Sequence, residues 1–391
     1  MKLLKRPNSH ILRDFLLFFA SALFAMPGVE IGGISASYIP CCIALIMTPN
    51  LLSRIPRVIL ILFSLASISF VFEIFKPTSL SFMGSRYRSI ANQINTKFAT
   101  SIESENLILW MKFSLALIGG IVLVIYAYSC AAESVIVRGF LTGSVISVLV
   151  GFLTLKPGEG DFLQSIGLGR TTTTFGMLCT YSIALVFMRP HSSKFKVIMI
   201  SLLMGGSLIS GSRGAAITSF LSIFFILILQ RSKSRILLMS WALMIVTLTI
   251  LENGQGFLSR YDIRAIKPNT SVTNSNLIRK QLYQQSFIDW TYDPLGGVGF
   301  SVLTQGHSAY LQTLAAGGLL FFLGYLMTDL RALISVISVQ RFANQEYLLA
   351  LAFCLIFNHI TQNQIDIPFL YLVVGIMLIE PRKVLLGSKV D

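Results

Sequence analysis

Apolar runs close to 20 residues long recur from one end of the chain to the other, and that repetition limits the possible folds more than any motif does. A run of this length, wound as an α-helix, spans the roughly 30 Å hydrocarbon core of a bilayer. Hydrocarbon cannot satisfy backbone N–H and C=O groups, so each run must be a helix or a barrel strand, and these runs are far too long for barrel strands. The expected fold is therefore an all-α, polytopic transmembrane bundle. Only 12% of the 391 residues are charged and 54% are hydrophobic, with a mean hydropathy of +0.74. Soluble domains carry about twice that charge, so a soluble enzyme is excluded.

The pattern predicts about twelve spans, at 11–27, 32–52, 58–75, 106–130, 134–155, 173–189, 197–210, 215–230, 236–251, 308–330, 347–361 and 367–380. The first follows Lys2, Lys5 and Arg6 like a secretion signal, but no small-residue cleavage site follows it, so it is expected to stay as a helix. Short loops rich in Lys and Arg remain cytoplasmic. The amino terminus, Arg54 with Arg57, Arg189 with Lys194 and Lys196, the 231–235 cluster and Arg382 with Lys383 then share one side, and both termini are cytoplasmic. The joint at Ala131 to Glu133 carries no positive charge and is the weakest point of this count. The whole chain, 1–391, reads as one integral membrane domain. Its five cysteines lie in apolar runs without metal-ligand spacing and read as small core residues.

Two polar stretches, about 76–105 and 252–307, fall on the outer side. In the longer one, Ile278 and Leu282 are one turn apart, and Tyr283, Phe287 and Trp290 follow at helical spacing, which predicts a short amphipathic helix on the membrane or on the bundle. The net charge of +14 is dispersed over loops on both sides, which does not suit nucleic acid. Orientation accounts for about half of the cations. The others, including Arg170, Arg213, Arg260, Arg264, Arg279 and Lys280, lie outside against the usual bias. Such a face suits an anionic substrate delivered from the lipid, such as a lipid diphosphate; the plainer reading is attraction to anionic headgroups.

Three features carry chemistry. In Ser210-Gly-Ser-Arg-Gly214, two glycines flank Arg213 where one run stops and the next starts. An abrupt helix start offers unpaired N–H groups and a positive dipole end beside a guanidinium, which together make an anion site. The plainer alternative is a tight turn whose Arg reaches the headgroups. His307 closes the outer loop, with Tyr310 one turn later. An imidazole at a membrane mouth can deprotonate or orient a hydroxyl, or it can simply cap the helix. Arg279 lies near the start of the loop helix, where a solvated face is the plainer reading. Asp289 and Asp293 are isolated and read as solvated or helix-capping, so no metal or other cofactor is expected. Glu30 and Glu73 are alternative bases, and His359 reads as a satisfied residue inside the bundle. Asp329 reads as lying near a span end, with almost nothing ionisable in span centres.

These features, in this order and on one side, resemble the O-antigen ligase and polymerase superfamily of bacterial GT-C type membrane glycosyltransferases. The matching residues are the SGSRG turn, Arg279, Pro294-Leu-Gly-Gly-Val-Gly299, His307-Ser-Ala-Tyr-Leu311 and Ala316-Gly-Gly-Leu-Leu320, with Gly169-Arg170 a weaker match. The likeness covers about residues 165 to 330. It implies transfer of a glycan from an undecaprenyl diphosphate carrier to a sugar hydroxyl at the periplasmic side of the bacterial inner membrane, with His307, Arg279 and Arg213 essential. Arg170, Arg264, Arg260 and Tyr310 would assist in binding substrate, and a chain-length regulator is a further partner. The acceptor is lipid A core in a ligase and another carrier-linked repeat in a polymerase. Ligases of this kind tend to carry a further histidine, and the single loop histidine here leans the reading toward polymerase; Ser308, where the family often has Asn, departs from the pattern at the acceptor contacts. A lipid-linked oligosaccharide transporter is disfavoured because neither repeated halves nor buried midspan charges are evident.

Overall fold

Twelve α-helices follow one another among the described residues of the computed structural model, which are 8–31, 34–74, 102–157, 163–188, 192–229, 271–300, 308–339, 346–362 and 365–387. They are α1 (Asn8–Phe24), α2 (Ile39–Met47), α3 (Arg57–Ile74), α4 (Ile102–Ser129), α5 (Glu133–Leu153), α6 (Thr172–Val186), α7 (Ser193–Ile209), α8 (Arg213–Leu229), α9 (Ser271–Tyr292), α10 (Ala309–Ser338), α11 (Glu346–Thr361) and α12 (Pro368–Gly387). Two small antiparallel pairs join them, Glu30–Ile31 with Ile34–Ser35 and Lys156–Pro157 with Leu163–Gln164. By length and composition, Asn106–Ser129, Glu133–Leu153 and Ala309–Ser338 can cross a membrane, and most of the remaining helices are apolar but shorter. The expected span at 236–251 lies outside the described residues.

Close helix contacts are built on small residues. On α5, a Cβ at Gly139 would sit 2.2 Å from the Phe18 carbonyl oxygen, and one at Gly143 would sit 2.4 Å from that of Ala22. Glycines four residues apart thus let α1 and α5 touch along their backbones, as small residues do where lipid removes the hydrophobic drive for association. Phe113, Phe300 and Phe321 pack ring to ring in the core, joining α4 to α10. Apolar side chains such as Leu149, Ile68 and Phe224 remain on the surface.

Hydrogen bonds gather the described joints at two ends of the bundle. At one end Arg54 Nη1 donates to Ser129 Oγ (3.2 Å). Ala131, at φ 53°, reverses the chain between α4 and α5, so the uncharged joint does turn. At the other end Gly28 N donates to Leu168 O, and Ser165 N donates to Ile209 O (both 2.8 Å). The loop before α6 is thereby tied to the end of α1 and the end of α7.

Three expectations need correction. The 32–52 segment is not one helix: Ile34–Ser35 pairs as a strand with Glu30–Ile31, a 3₁₀ turn Ala36–Tyr38 leads into the nine residues of α2, and a second 3₁₀ helix runs from Pro49 to Arg54. Pro49 cannot continue α2, since it lacks an N–H and its ring clashes with the preceding turn. The loop helix α9 is not short but 22 residues long. The 308–330 span is not straight either, because α10 breaks at Gly317–Gly318.

Candidate functional site

The SGSRG turn is built as its glycines predict. Gly211 takes φ 67°, and its N–H bonds the Leu208 carbonyl (2.9 Å), closing α7. Glycine pays no Cβ penalty in that conformation. Ser212 then caps α8, its Oγ 3.4 Å from the Ala215 N–H. Gly214 has no side chain because a Cβ would sit 2.7 Å from Gln362 Nε2. That amide donates to Ser212 Oγ (3.3 Å), while the Gln362 carbonyl accepts from the Ala309 N–H (2.9 Å). Ser308 Oγ also reaches the His359 carbonyl (3.3 Å). The end of α11 therefore touches both the residue before Arg213 and the first residues after His307.

The broken helix α10 forms the other wall. Gly318, at φ 60°, stops the helical ladder and frees groups on either side of the break. The Pro294–Gly299 motif takes them up: Val298 N and Gly299 N donate to the carbonyls of Ala315 (2.8 Å) and Ala316 (2.9 Å), and Leu319 N donates to Pro294 O (2.8 Å). Ser69 Oγ lies within reach of both Gly296 O (2.8 Å) and Gly317 O (2.9 Å) and shares its one proton between them. Two glycine motifs that are separate in the sequence thus form one interlock. Irregular backbone inside an apolar bundle persists only where other protein groups satisfy it in this way.

Beyond the break the chain turns back on itself. Tyr310 donates its hydroxyl to Asp329 Oδ2 (2.7 Å), although 19 residues of unbroken helix would hold them about 28 Å apart. His359 Nδ1 lies 2.7 Å from the same carboxylate oxygen, and Nε2 lies 2.9 Å from the Tyr325 hydroxyl. The Asp329 and His359 side chains are 4% and 2% exposed. His359 is satisfied inside the bundle as expected. Asp329 is not at a span end: it is a buried ionisable group in the interior of α10, which corrects the expectation that span interiors lack such groups and removes one ground for disfavouring transport.

Helix α9 leans on the folded-back arm of α10. Leu282, Gln285, Ser286 and Asp289 form its buried face, and Gln312 Nε2 donates to Ser286 Oγ (3.0 Å). The outward face carries Phe287, Ile288 and Tyr292. The buried face is thus mostly polar, and large apolar side chains stand on the outward one. Of the Tyr283–Phe287–Trp290 stripe, Phe287 is exposed and Tyr283 and Trp290 are half-buried, so the bundle meets a different face of the helix. Asp289 is fully buried with Gln285 Nε2 donating to it (2.6 Å), which corrects the solvated reading, whereas Asp293 caps the following turn through Gly296 N (3.1 Å).

His307, Arg260 and Arg264 lie outside the described residues, as do the side chains of Arg213 and Arg279, whose backbones stand at the start of α8 and within α9. Position 279 is seven residues before Ser286, on the stripe that meets the arm. Arg170 Nη1 pairs with Asp366 Oδ2 (2.8 Å), and that carboxylate holds the guanidinium above its ordinary pKa. Glu30 sits in the hairpin opposite Ser35. Reasoning from sequence missed Gln362, Asp366 and the Asp329–His359 pair. The signal was the polar run 358–366 between two apolar stretches. The chain matches no family model and no curated protein sequence.

Proposed function

We propose that this protein is a bacterial surface-polysaccharide polymerase of the O-antigen type, working in the inner membrane with its site on the periplasmic side. The observation that carries the reading is the 309–316 arm. One end follows His307 and shares Gln362 with the Arg213 turn, and its middle is bonded to α9 on the stripe of position 279.

In the proposed reaction the acceptor is a sugar hydroxyl of a second carrier-linked repeat. Its oxygen attacks the anomeric carbon, the bond to diphosphate breaks with its electrons, and the proton passes to His307. A single displacement inverts the anomeric centre. Arg213 and Arg279 meet the charge growing on the departing undecaprenyl diphosphate in a water-poor site, where fixed donors are most effective. Arg260 and Arg264 would add further contacts to the donor. Arg170 would have to share its charge with Asp366, and the Tyr310 hydroxyl is engaged by Asp329. No metal or cofactor enters this scheme.

The test is deletion of the gene and complementation with His307→Ala, Arg213→Ala or Arg279→Ala, with surface polysaccharide resolved on a gel. A single-repeat product in the deletion and in each variant is the expected result. Loss of all polymer from lipid A core would mean a ligase, and normal ladders from Arg213→Ala would remove the anion site from the account.

A further inference from the structure

The Asp329–His359 pair lies inside the bundle, and the proposed reaction does not use it. It is an unusual group to bury: an isolated charge in a low-dielectric interior costs several kcal/mol unless it is paired and hydrogen-bonded. Besides the Tyr325 hydroxyl at His359 Nε2 (2.9 Å), two partners of the pair belong to the folded-back arm or the residue before it. Asp329 holds Tyr310, the second residue of the folded-back arm, and the carbonyl of His359 receives Ser308, the residue just before the arm begins. The arm's other end is a glycine break, a natural pivot, secured by the Pro294–Gly299 motif. Beside the Ala309 N–H bond to the Gln362 carbonyl (2.9 Å) and the Gln312 bond to Ser286 (3.0 Å), the Tyr310 hydroxyl ties the start of the arm directly to the buried pair.

We infer that Asp329, His359 and Tyr310 are positioning residues: the buried carboxylate–imidazole pair grips the Tyr310 hydroxyl and so fixes the 309–316 arm, whose first residue shares Gln362 with the turn that leads into α8. The geometry has the logic of a carboxylate orienting an imidazole through Nδ1. Here the acid also anchors a tyrosine on a hinged element. A shift of about 1 Å in a reacting group costs roughly a hundredfold in rate, so a tether distant from the chemistry is enough to control it. The consequence for catalysis rests on the glycosyl-transfer reading, but the tether itself does not.

The test separates the two. In the full-length chain with its five cysteines replaced, Ser212→Cys and Ser308→Cys are introduced, and a short bis-methanethiosulfonate reagent reports their proximity in native membranes. The parent pair should cross-link efficiently. Adding Tyr310→Phe or Asp329→Asn should lower the yield at least fivefold, and for Tyr310→Phe this should occur at an unchanged thermal midpoint of the extracted protein. In polymer assays Tyr310→Phe should lower turnover about tenfold at unchanged KM for the carrier-linked repeat. An unchanged cross-link in Tyr310→Phe overturns the inference, as does the absence of a cross-link in the parent, or a fall that merely follows a lowered midpoint. Should Asp329→Asn fail to fold, Tyr310→Phe decides alone. If the parent makes no polymer while the cross-link still responds, the glycosyl-transfer reading fails and the tether stands.

Discussion

Helices α5 and α10 look alike as sequence, each an apolar run punctuated by glycines, yet α5 runs unbroken for 21 residues whereas α10 doubles back at Gly317–Gly318. In α5, Gly139 and Gly143 keep the helical course and serve only to bring α1 close. In α10, Gly318 adopts a conformation open to glycine, and the broken ladder is completed by another segment of chain. Glycine in an apolar run therefore has two meanings, and what tells them apart lies elsewhere in the chain, in whether a second motif can accept the liberated hydrogen bonds. Of these two helices, α10 is the one that carries a fully buried acid, Asp329. The straight helix is scaffold, and the broken one shapes the candidate site.

Substitutions can break this contrast. Gly318→Val should have the largest effect. It forces φ 60° on a β-branched residue and drives a Cβ to within 2.4 Å of the Leu295 carbonyl. Strain and overpacking together come to roughly 4 kcal/mol. Size-exclusion profiles of the detergent-extracted protein should show little monodisperse material, and a wild-type profile would mean the break is not built as described.

Asp329→Ala comes next. It leaves His359 and Tyr310 without their shared acceptor at a cost of about 3 kcal/mol, to be read as a lowered midpoint of unfolding in detergent. Ser69→Ala removes the one hydroxyl that bridges both sides of the interlock and should cost about 1 kcal/mol by the same measurement. The smallest effect is expected on the straight helix. Leu149 is half exposed on the surface of α5, and Leu149→Ala should stay within about 0.5 kcal/mol of the parent. A Leu149→Ala effect larger than that of Ser69→Ala would reverse the assignment of scaffold and site.

The apolar runs made most of the helices legible, because length and hydropathy alone decide where a helix can satisfy its backbone in hydrocarbon. The turn at Ser210–Gly214 was legible too, since two glycines around an Arg between apolar runs leave few other conformations. The folding back of α10 was not. A Gly-Gly pair within an apolar run costs a helix only about 1 kcal/mol per glycine, so its breaking depends on Pro294–Gly299, which lies before the helix in the chain. The Asp329–His359 contact joins residues 30 apart on different helices, beyond any helical spacing. Asp329 was assigned to a span end because the apolar run was ended there, although the helix continues to Ser338. Which face of α9 meets the bundle was not legible: aromatic residues at helical spacing mark an amphipathic helix, on the membrane or on the bundle, and here three of the four buried residues are polar.

The most direct test of the central claim uses purified protein in lipid, supplied only with the undecaprenyl-diphosphate-linked repeat. The account predicts a ladder of longer carrier-linked glycans with stoichiometric release of undecaprenyl diphosphate, abolished in Arg213→Ala and His307→Ala while both variants remain monodisperse. A protein that makes no ladder and releases no carrier from its cognate repeat, or one whose ladder survives both substitutions, would contradict it.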